Sequence, residues 1–280
     1  MKKYFCVSDI HSFYTELITA LHKNGFDENN QDHVLVVLGD VFDRGTETLQ
    51  VYHFLRSLPK DRLILIRGNH ELLYLDLLTK HFPESYDFSN GTVRTFCAIA
   101  GFDEEVLQLY YWYKQARIEN KEPYEYSSKP QEYWKQIQET VAMSDVTKWL
   151  QSDDWVNYFE TDKYIMVHSW IPFKQVVRDY YYIESLGYRD DWRNATSVEW
   201  EDAMWGCPWS KAKEGWNQTG KTIVCGHWHT SDFFNNLTKQ RKGKYECPIF
   251  KSKKYKLIGL DACTVMSHKV NVLVLNEDEL

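Results

Sequence analysis

The first 80 residues predict an α/β fold built on a largely parallel sheet. Short apolar runs alternate there with stretches of helical periodicity, the βαβ rhythm of such a sheet. Each of the first three runs also ends on a polar cluster, and open α/β sheets gather ligands at the carboxyl ends of their strands. The chain has 280 residues, 43% of them hydrophobic, enough to bury a sizeable core.

Tyr4 to Val7 reads as the first strand, delivering Asp9-Ile10-His11. A helix follows with Leu17, Ile18 and Leu21 on one face and a stop at Asn24-Gly25. Val34 to Leu38 is the second strand; Gly39 then turns the chain and presents Asp40. A helix from Thr46 to Leu58 carries Leu49, Phe54, Leu55 and Leu58 inward, and Pro59 ends it. Leu63 to Ile66 is the third strand, ending on Arg67-Gly68-Asn69-His70-Glu71, with a helix from Leu72 to Leu78 beyond.

From about 80 to 162 the rhythm is lost. Runs such as Leu109-Tyr110-Tyr111-Trp112-Tyr113 indicate a helical, aromatic-rich insertion. Tyr164 to Val167 is a strand ending at His168. A second irregular insertion, 172 to 220, carries Trp192, Trp200, Trp205, Trp209 and Trp216. Thr222 to Cys225 is a strand ending at Gly226-His227-Trp228-His229, and Lys256 to Leu260 and Val270 to Leu275 are the last strands. One domain, 1–280, with two insertions is the simplest organisation.

Net charge is -7, which argues against a nucleic-acid partner. No run approaches the roughly 18 apolar residues of a membrane helix, and the N-terminus lacks a signal-peptide apolar region. The expected compartment is the cytoplasm. The six cysteines form no CxxC pair and are expected as free thiols.

The strand-end residues Asp9, His11, Asp40, Asn69, His168, His227 and His229 combine oxygen and imidazole donors. That set suits first-row divalent ions, with Mn, Fe and Zn all compatible. A carboxylate can bridge two such ions, and the pair clamps a phosphate and acidifies a bound water. Asp40 is the natural bridge. Taken singly, each motif also reads as an ordinary turn or helix start; their recurrence at five strand ends favours a metal site. Asp43 and Arg44 can be read either as serving the chemistry beside the ions or as an ion pair stabilising the turn. Gly215 to Thr222 matches the phosphate-loop pattern GxxxxGK[ST]. A strand follows it where a helix is needed, so it reads as a polar turn.

Asp9-Ile10-His11, Gly39-Asp40-Val41-Phe42-Asp43-Arg44-Gly45, Arg67-Gly68-Asn69-His70-Glu71, His168 and Gly226-His227-Trp228-His229 resemble the signatures of the calcineurin-like metallophosphoesterases. They are most similar to the phosphoprotein phosphatase branch, which includes serine/threonine phosphatases and diadenosine tetraphosphatases. The resemblance implies a four-layer αββα sandwich of two mixed sheets, with the aromatic insertions outside its reach. It implies two divalent ions, with Mn2+ the leading candidate: one held by Asp9, His11 and Asp40, the other by Asp40, Asn69, His168 and His227. The additional His229 resembles a ligand of the first ion in the wider family. It also implies that His70 protonates the leaving oxygen with Asp43 behind it, and that Arg44 binds phosphate. Arg67 is a second candidate for substrate binding, with a structural role equally open. Ser169-Trp170 stands where the branch has two glycines and is expected to intrude on the ions. The second phosphate-binding arginine of the branch has no counterpart near Met204 to Trp209. The expected activity is phosphomonoester hydrolysis, on a phosphoprotein or a small phosphoester. Hydrolysis of a dinucleoside polyphosphate or other phosphoanhydride or phosphodiester is the alternative, and a metal-binding scaffold is the non-enzymatic one.

Overall fold

The computed structural model describes residues 1–102, 106–121, 128–179 and 182–280. The remaining short stretches fall within the two expected insertions and lie outside the described residues. The N-terminal third alternates as expected: β1 (Lys3–Val7), α1 (Tyr14–Lys23), β2 (His33–Leu38), α2 (Thr48–Ser57), β3 (Leu63–Ile66) and α3 (Asn69–Leu77). The first insertion contributes α4 (Ser85–Asn90), α5 (Thr92–Ala100), α6 (Val106–Ile118), α7 (Ser128–Met143) and α8 (Asp145–Leu150). Then come β4 (Trp155–Val156), β5 (Tyr158–Glu160), β6 (Tyr164–Val167), the hairpin strands β7 (Phe173–Asp179) and β8 (Tyr182–Tyr188), α9 (Ser197–Met204) and α10 (Pro208–Lys213). The chain continues through β9 (Thr222–Cys225), α11 (Thr230–Leu237), β10 (Phe250–Ser252), β11 (Leu257–Gly259), α12 (Thr264–Ser267) and β12 (Leu273–Asn276).

Two five-stranded mixed sheets result, in the orders β12-β1-β2-β3-β4 and β10-β11-β9-β6-β5. In the first, β1, β2, β3 and β4 pair in parallel and β12 runs antiparallel to β1. In the second, β6, β9 and β11 are parallel, with β5 and β10 antiparallel at the edges.

The period of two along each strand builds the layers. On β2, Val34, Val36 and Leu38 pack with Met166, Val224 and Ile258 of the other sheet. The alternate residues, Leu35 and Val37, pack with Leu17, Leu21, Val51 and Leu55 of the covering helices. Both faces are thus buried, which is why this strand is apolar at every position after His33. On β6, Ile165 and Val167 face outward onto Trp170, Trp192, Trp200 and Phe233. The order is helix, sheet, sheet, and an outer layer of helix and indole, the four-layer sandwich that the resemblance implies. Among the described residues no helix is long and apolar enough to cross a membrane.

Several boundaries differ from expectation. α2 starts at Thr48, whose hydroxyl turns inward to Ser12 Oγ at 3.0 Å. That rotation places Val51 in the core and leaves Leu49 37% exposed, so Leu49 is not one of its inward residues. α3 begins at Asn69 itself, earlier than Leu72. The segment 155–160, expected as part of the helical insertion, supplies an edge strand to each sheet, with only Asn157 between them. Strands of two and three residues carry too little pattern to be read from sequence. The second insertion likewise contains a hairpin.

Candidate metal centre

The carboxyl ends of β1, β2 and β3 in one sheet, and of β6 and β9 in the other, converge at one end of the seam between the sheets. Six of the expected site residues hold left-handed backbone: Asp9, His11, Asp40, Asp43, Arg44 and His227. Such φ values are costly for side-chain-bearing residues and persist where surrounding contacts impose them. The loops are also tightly nested. A Cβ on Gly68 would stand 2.4 Å from Asp40 Oδ1, so only glycine fits.

Asp40 lies at the middle, 2% exposed. Its Oδ2 is 3.8 Å from His11 Nε2 and 3.9 Å from His70 Nε2, and its Oδ1 is 3.4 Å from His168 Nε2. The donors form two compact groups that share it: His11, Asp40 and His70, and Asp40, His168 and His227. Asn69 joins the second group, its Oδ1 2.8 Å from His168 Nε2. His11 Nδ1 is held by Phe42 O at 3.0 Å and His168 Nδ1 by Leu38 O at 2.7 Å. Each ring is thereby fixed with its Nε2 inward, the orientation backbone carbonyls impose on metal-binding imidazoles. The donor types, the shared carboxylate and the oriented rings fit a pair of divalent ions.

The charges respond to one another. Burial works against the Asp40 carboxylate, but His168, His70, His11 and His227 outweigh it and hold it below the ordinary range. Burial lifts the Asp9 carboxyl to about 6, with Asp40 adding to the lift and His168 opposing it. Burial also depresses His227 to about 3, and the charge on His168 reinforces this. His70 is the reverse: burial disfavours its charge, but Asp40 and Asp43 outweigh that and raise its pKa.

Asp43 Oδ2 accepts from His70 Nδ1 at 2.7 Å, both residues being buried. Arg44, exposed, donates from Nη2 to His70 Nε2 at 3.2 Å. Asp9 and His229 stand apart from the two compact groups. The Asp9 carboxylate accepts from the His227 N–H at 3.0 and 3.1 Å. His229 precedes α11 and has Asp261 as a charge neighbour. Arg67 goes elsewhere: its guanidinium donates to Leu150 O at 3.1 Å and lies over the Trp155 ring. The contacts made by Arg67 are structural and do not support its expectation as a substrate ligand.

Ser169 and Trp170 do not crowd the donors. Ser169 Oγ donates to Gly206 O at 2.6 Å, and Trp170 is buried in the outer core of the second sheet. Lys221 of the phosphate-loop-like segment is engaged with Thr161 O at 2.6 Å and Glu160 at 2.8 Å, and β9 follows directly.

Two buried acids beside the donors, Glu71 and Asp261, went unassigned in the sequence. Glu71 accepts from the N–H groups of Gly68, Asp40 and Val41 at 2.7, 3.0 and 2.9 Å, which ties the Asp40 turn to the start of α3. Asp261, 4% exposed, follows β11. Burial raises its carboxyl to about 7, with Asp9 adding to the rise. Its signal was an acid at a further strand end, the same pattern that marks Asp9 and Asp40.

The sequence model of the calcineurin-like phosphoesterases matches residues 2–231. Over 72 residues the chain is 40% identical to a symmetrical bis(5'-nucleosyl)-tetraphosphatase of Buchnera aphidicola, covering 26% of this chain and 25% of that one. Over 91 residues it is 34% identical to the serine/threonine-protein phosphatase 4 catalytic subunit of Kluyveromyces lactis, covering 31% and 26%. The matched part thus spans about a quarter of these curated relatives. The cold-active protein-tyrosine phosphatase of a psychrophilic Shewanella species superposes with a TM-score of 0.52 at 15% identity, over 99% of this chain and 76% of that one, a likeness of fold. With the family model covering most of the chain, the protein belongs to the calcineurin-like phosphoesterase family.

Proposed function

We propose that this chain is a phosphoester hydrolase working with two divalent ions around Asp40. The observation that carries this reading is that one buried carboxylate belongs to both donor groups. We assign Asp9, His11 and Asp40, with His229, to one ion and Asp40, Asn69, His168 and His227 to the other. Mn2+ is the leading identity, with Fe and Zn as competitors. When bound, the ions supply charge stabilisation for the phosphoryl oxygens and acidify the attacking water. The chain's own residues do the rest. Arg44, already within 3.2 Å of His70 Nε2, turns its planar fork onto phosphate oxygens. Its departure frees Nε2 to carry the proton that the leaving oxygen needs. Asp43 holds the opposite nitrogen and keeps the ring in register.

The leading substrate class is a phosphomonoester. Dinucleoside polyphosphate hydrolysis is the second reading, and the indoles at the site favour it. Trp205 stands edge-on to His227 with ring centroids 6.0 Å apart and is 52% exposed. Trp228, 36% exposed, lies 6.4 Å from the same ring and is braced by Trp209. Exposed indole faces beside the donors suit stacking of a base. A metal-binding scaffold has no use for the Asp43–His70 pair.

Purified protein with Mn2+ should hydrolyse p-nitrophenyl phosphate; no turnover of it, of a phosphoserine peptide or of diadenosine tetraphosphate with any of the three metals would sink the enzymatic reading. Phosphoserine peptides and diadenosine tetraphosphate then separate the substrate classes. With Trp205→Ala, a fall of about tenfold in the kcat/KM ratio of the dinucleotide over the peptide supports base stacking. An unchanged ratio favours the phosphomonoester.

A further inference from the structure

We propose that helix α5 of the first insertion is a positioning element for the reaction, acting on Asp43 through Thr92 and Thr95. The inference rests on the assignment of His70 as proton donor and concerns what holds that donor in place.

Asp43 is 1% exposed, so bulk solvent does not orient its carboxylate. Three side chains do so instead. Thr95 Oγ1 donates to Oδ1 at 2.6 Å, Thr92 Oγ1 donates to Oδ2 at 2.8 Å, and His70 Nδ1 donates to the same Oδ2 at 2.7 Å. The Asp43 N–H also donates to Thr95 Oγ1 at 3.1 Å, so one hydroxyl grips both the backbone and the carboxylate of that residue. Both threonines are buried, at 0% and 1% exposure. They lie three residues apart on α5, hence on one face.

The start of the same helix packs on the next residue of the turn. Gly91 holds φ +90°, and a Cβ there would stand 2.4 Å from Arg44 N and 2.9 Å from Arg44 Cα. The helix entry therefore lies flat against the left-handed Asp43-Arg44 turn. Behind it, Val93, Phe96 and Cys97 are fully buried in the core that α1, α2 and α3 share. The insertion thus supplies a rigid floor whose polar side fixes the carboxylate plane, and the carboxylate fixes the imidazole. A buried carboxylate needs partners for stability alone, so the test must separate positioning from mere satisfaction.

The experiment measures kcat, KM and metal content for Thr95→Val, Thr92→Val and Thr95→Ser in the Mn2+-loaded protein. Phosphoserine peptide and p-nitrophenyl phosphate serve as poor and good leaving groups. Misplacing a catalytic group by about 1 Å can cost on the order of 100-fold. Thr95→Val should therefore lower kcat on the peptide by roughly 10- to 100-fold, with a smaller loss on the aryl phosphate and near-constant KM. Thr95→Ser keeps the hydroxyl and should recover most of the loss. Placed on a His70→Asn background, Thr95→Val should cost nearly nothing more, because the group it positions is already gone. Additive losses in that double variant, equal losses on both substrates, or no recovery by serine would each overturn the clamp. If Thr95→Val fails to fold, Thr92→Val, which leaves the Oδ1 grip intact, carries the same comparison at a smaller amplitude. His70→Asn with undiminished turnover on the peptide would overturn the proton-donor assignment. A large His70→Asn loss beside an unaffected Thr95→Val would overturn the positioning role alone.

Discussion

Asp40 and His70 come from different loops and meet where the His70 N–H donates to Asp40 Oδ1 at 3.0 Å, yet the site asks different things of them. Asp40 is shared by both donor groups, whereas the other acid and each imidazole serve at most one. Asp40→Asn should therefore lose more bound metal than any other single ligand change. Metal analysis of the purified variants checks this, and two full equivalents in Asp40→Asn would remove the bridge. His70 belongs geometrically to one donor group but is committed to Asp43 through Nδ1. His70→Asn should keep its metal near wild type and lose turnover by about 100- to 10,000-fold, most on phosphoserine. Metal loss in that variant would make His70 a ligand. Nearly all of these residues were legible because acids and imidazoles at strand ends are chemically conspicuous. Where a long side chain goes was not legible. Arg67 opens the Arg67-Gly68-Asn69-His70-Glu71 string, but its guanidinium is taken up by Leu150 and Trp155, residues some 80 positions away in the chain.

Among the elements, the strongly periodic ones were legible and the short ones were not. β1, β2, β3, β6 and β9 are runs of apolar residues flanked by glycine or polar turns, and each was expected within about two residues of where it lies. β4 and β5, two and three residues long, owe their existence to neighbours already in place. β5 also shows how an edge strand is tied down. Glu160 accepts from Arg193 Nε at 2.7 Å and pairs with Lys221 at 2.8 Å, joining this strand to the second insertion and to the turn before β9. Its hydrogen bonds with Arg193, aided by Lys221, hold its carboxyl down at about 2 against an ordinary 4.5. A carboxyl depressed in the folded state stabilises above its unfolded pKa and loses that contribution as pH falls through the folded one. The melting-temperature gap between wild type and Glu160→Gln should thus be open at neutral pH and close between about pH 4.5 and 2. A gap that widens on acidification would contradict the pairing. Because the pair is partly solvated, added salt should narrow the gap as well.

On the scale of the whole molecule, βαβ alternation announced a largely parallel sheet and motif resemblance the four-layer sandwich, while the content of the insertions was not legible. Their aromatic residues announced burial without saying against what; the structure divides them between the outer faces of the two sheets. The donors are divided the same way. Asp9, His11, Asp40, Asn69 and His70 come from loops of one sheet, and His168 and His227 from loops of the other. Between the sheets lies an apolar interface, pinned at the site end where His168 Nδ1 donates to Leu38 O at 2.7 Å and the His227 N–H donates to Asp9. Metal binding to the folded state should accordingly stabilise the whole chain, by about 4 kcal/mol at a free concentration 1,000 times Kd. A chelator should lower the melting temperature of wild type, and Asp40→Asn should respond far less; equal responses would place the ions elsewhere. Ions held by donors from both sheets would then act as a rivet through two plates. Where loading locks the register between the sheets, stripping should speed hydrogen exchange in β6 and β9 as well as at the loops, so that a chemical requirement of the reaction doubles as a mechanical fastening of the fold.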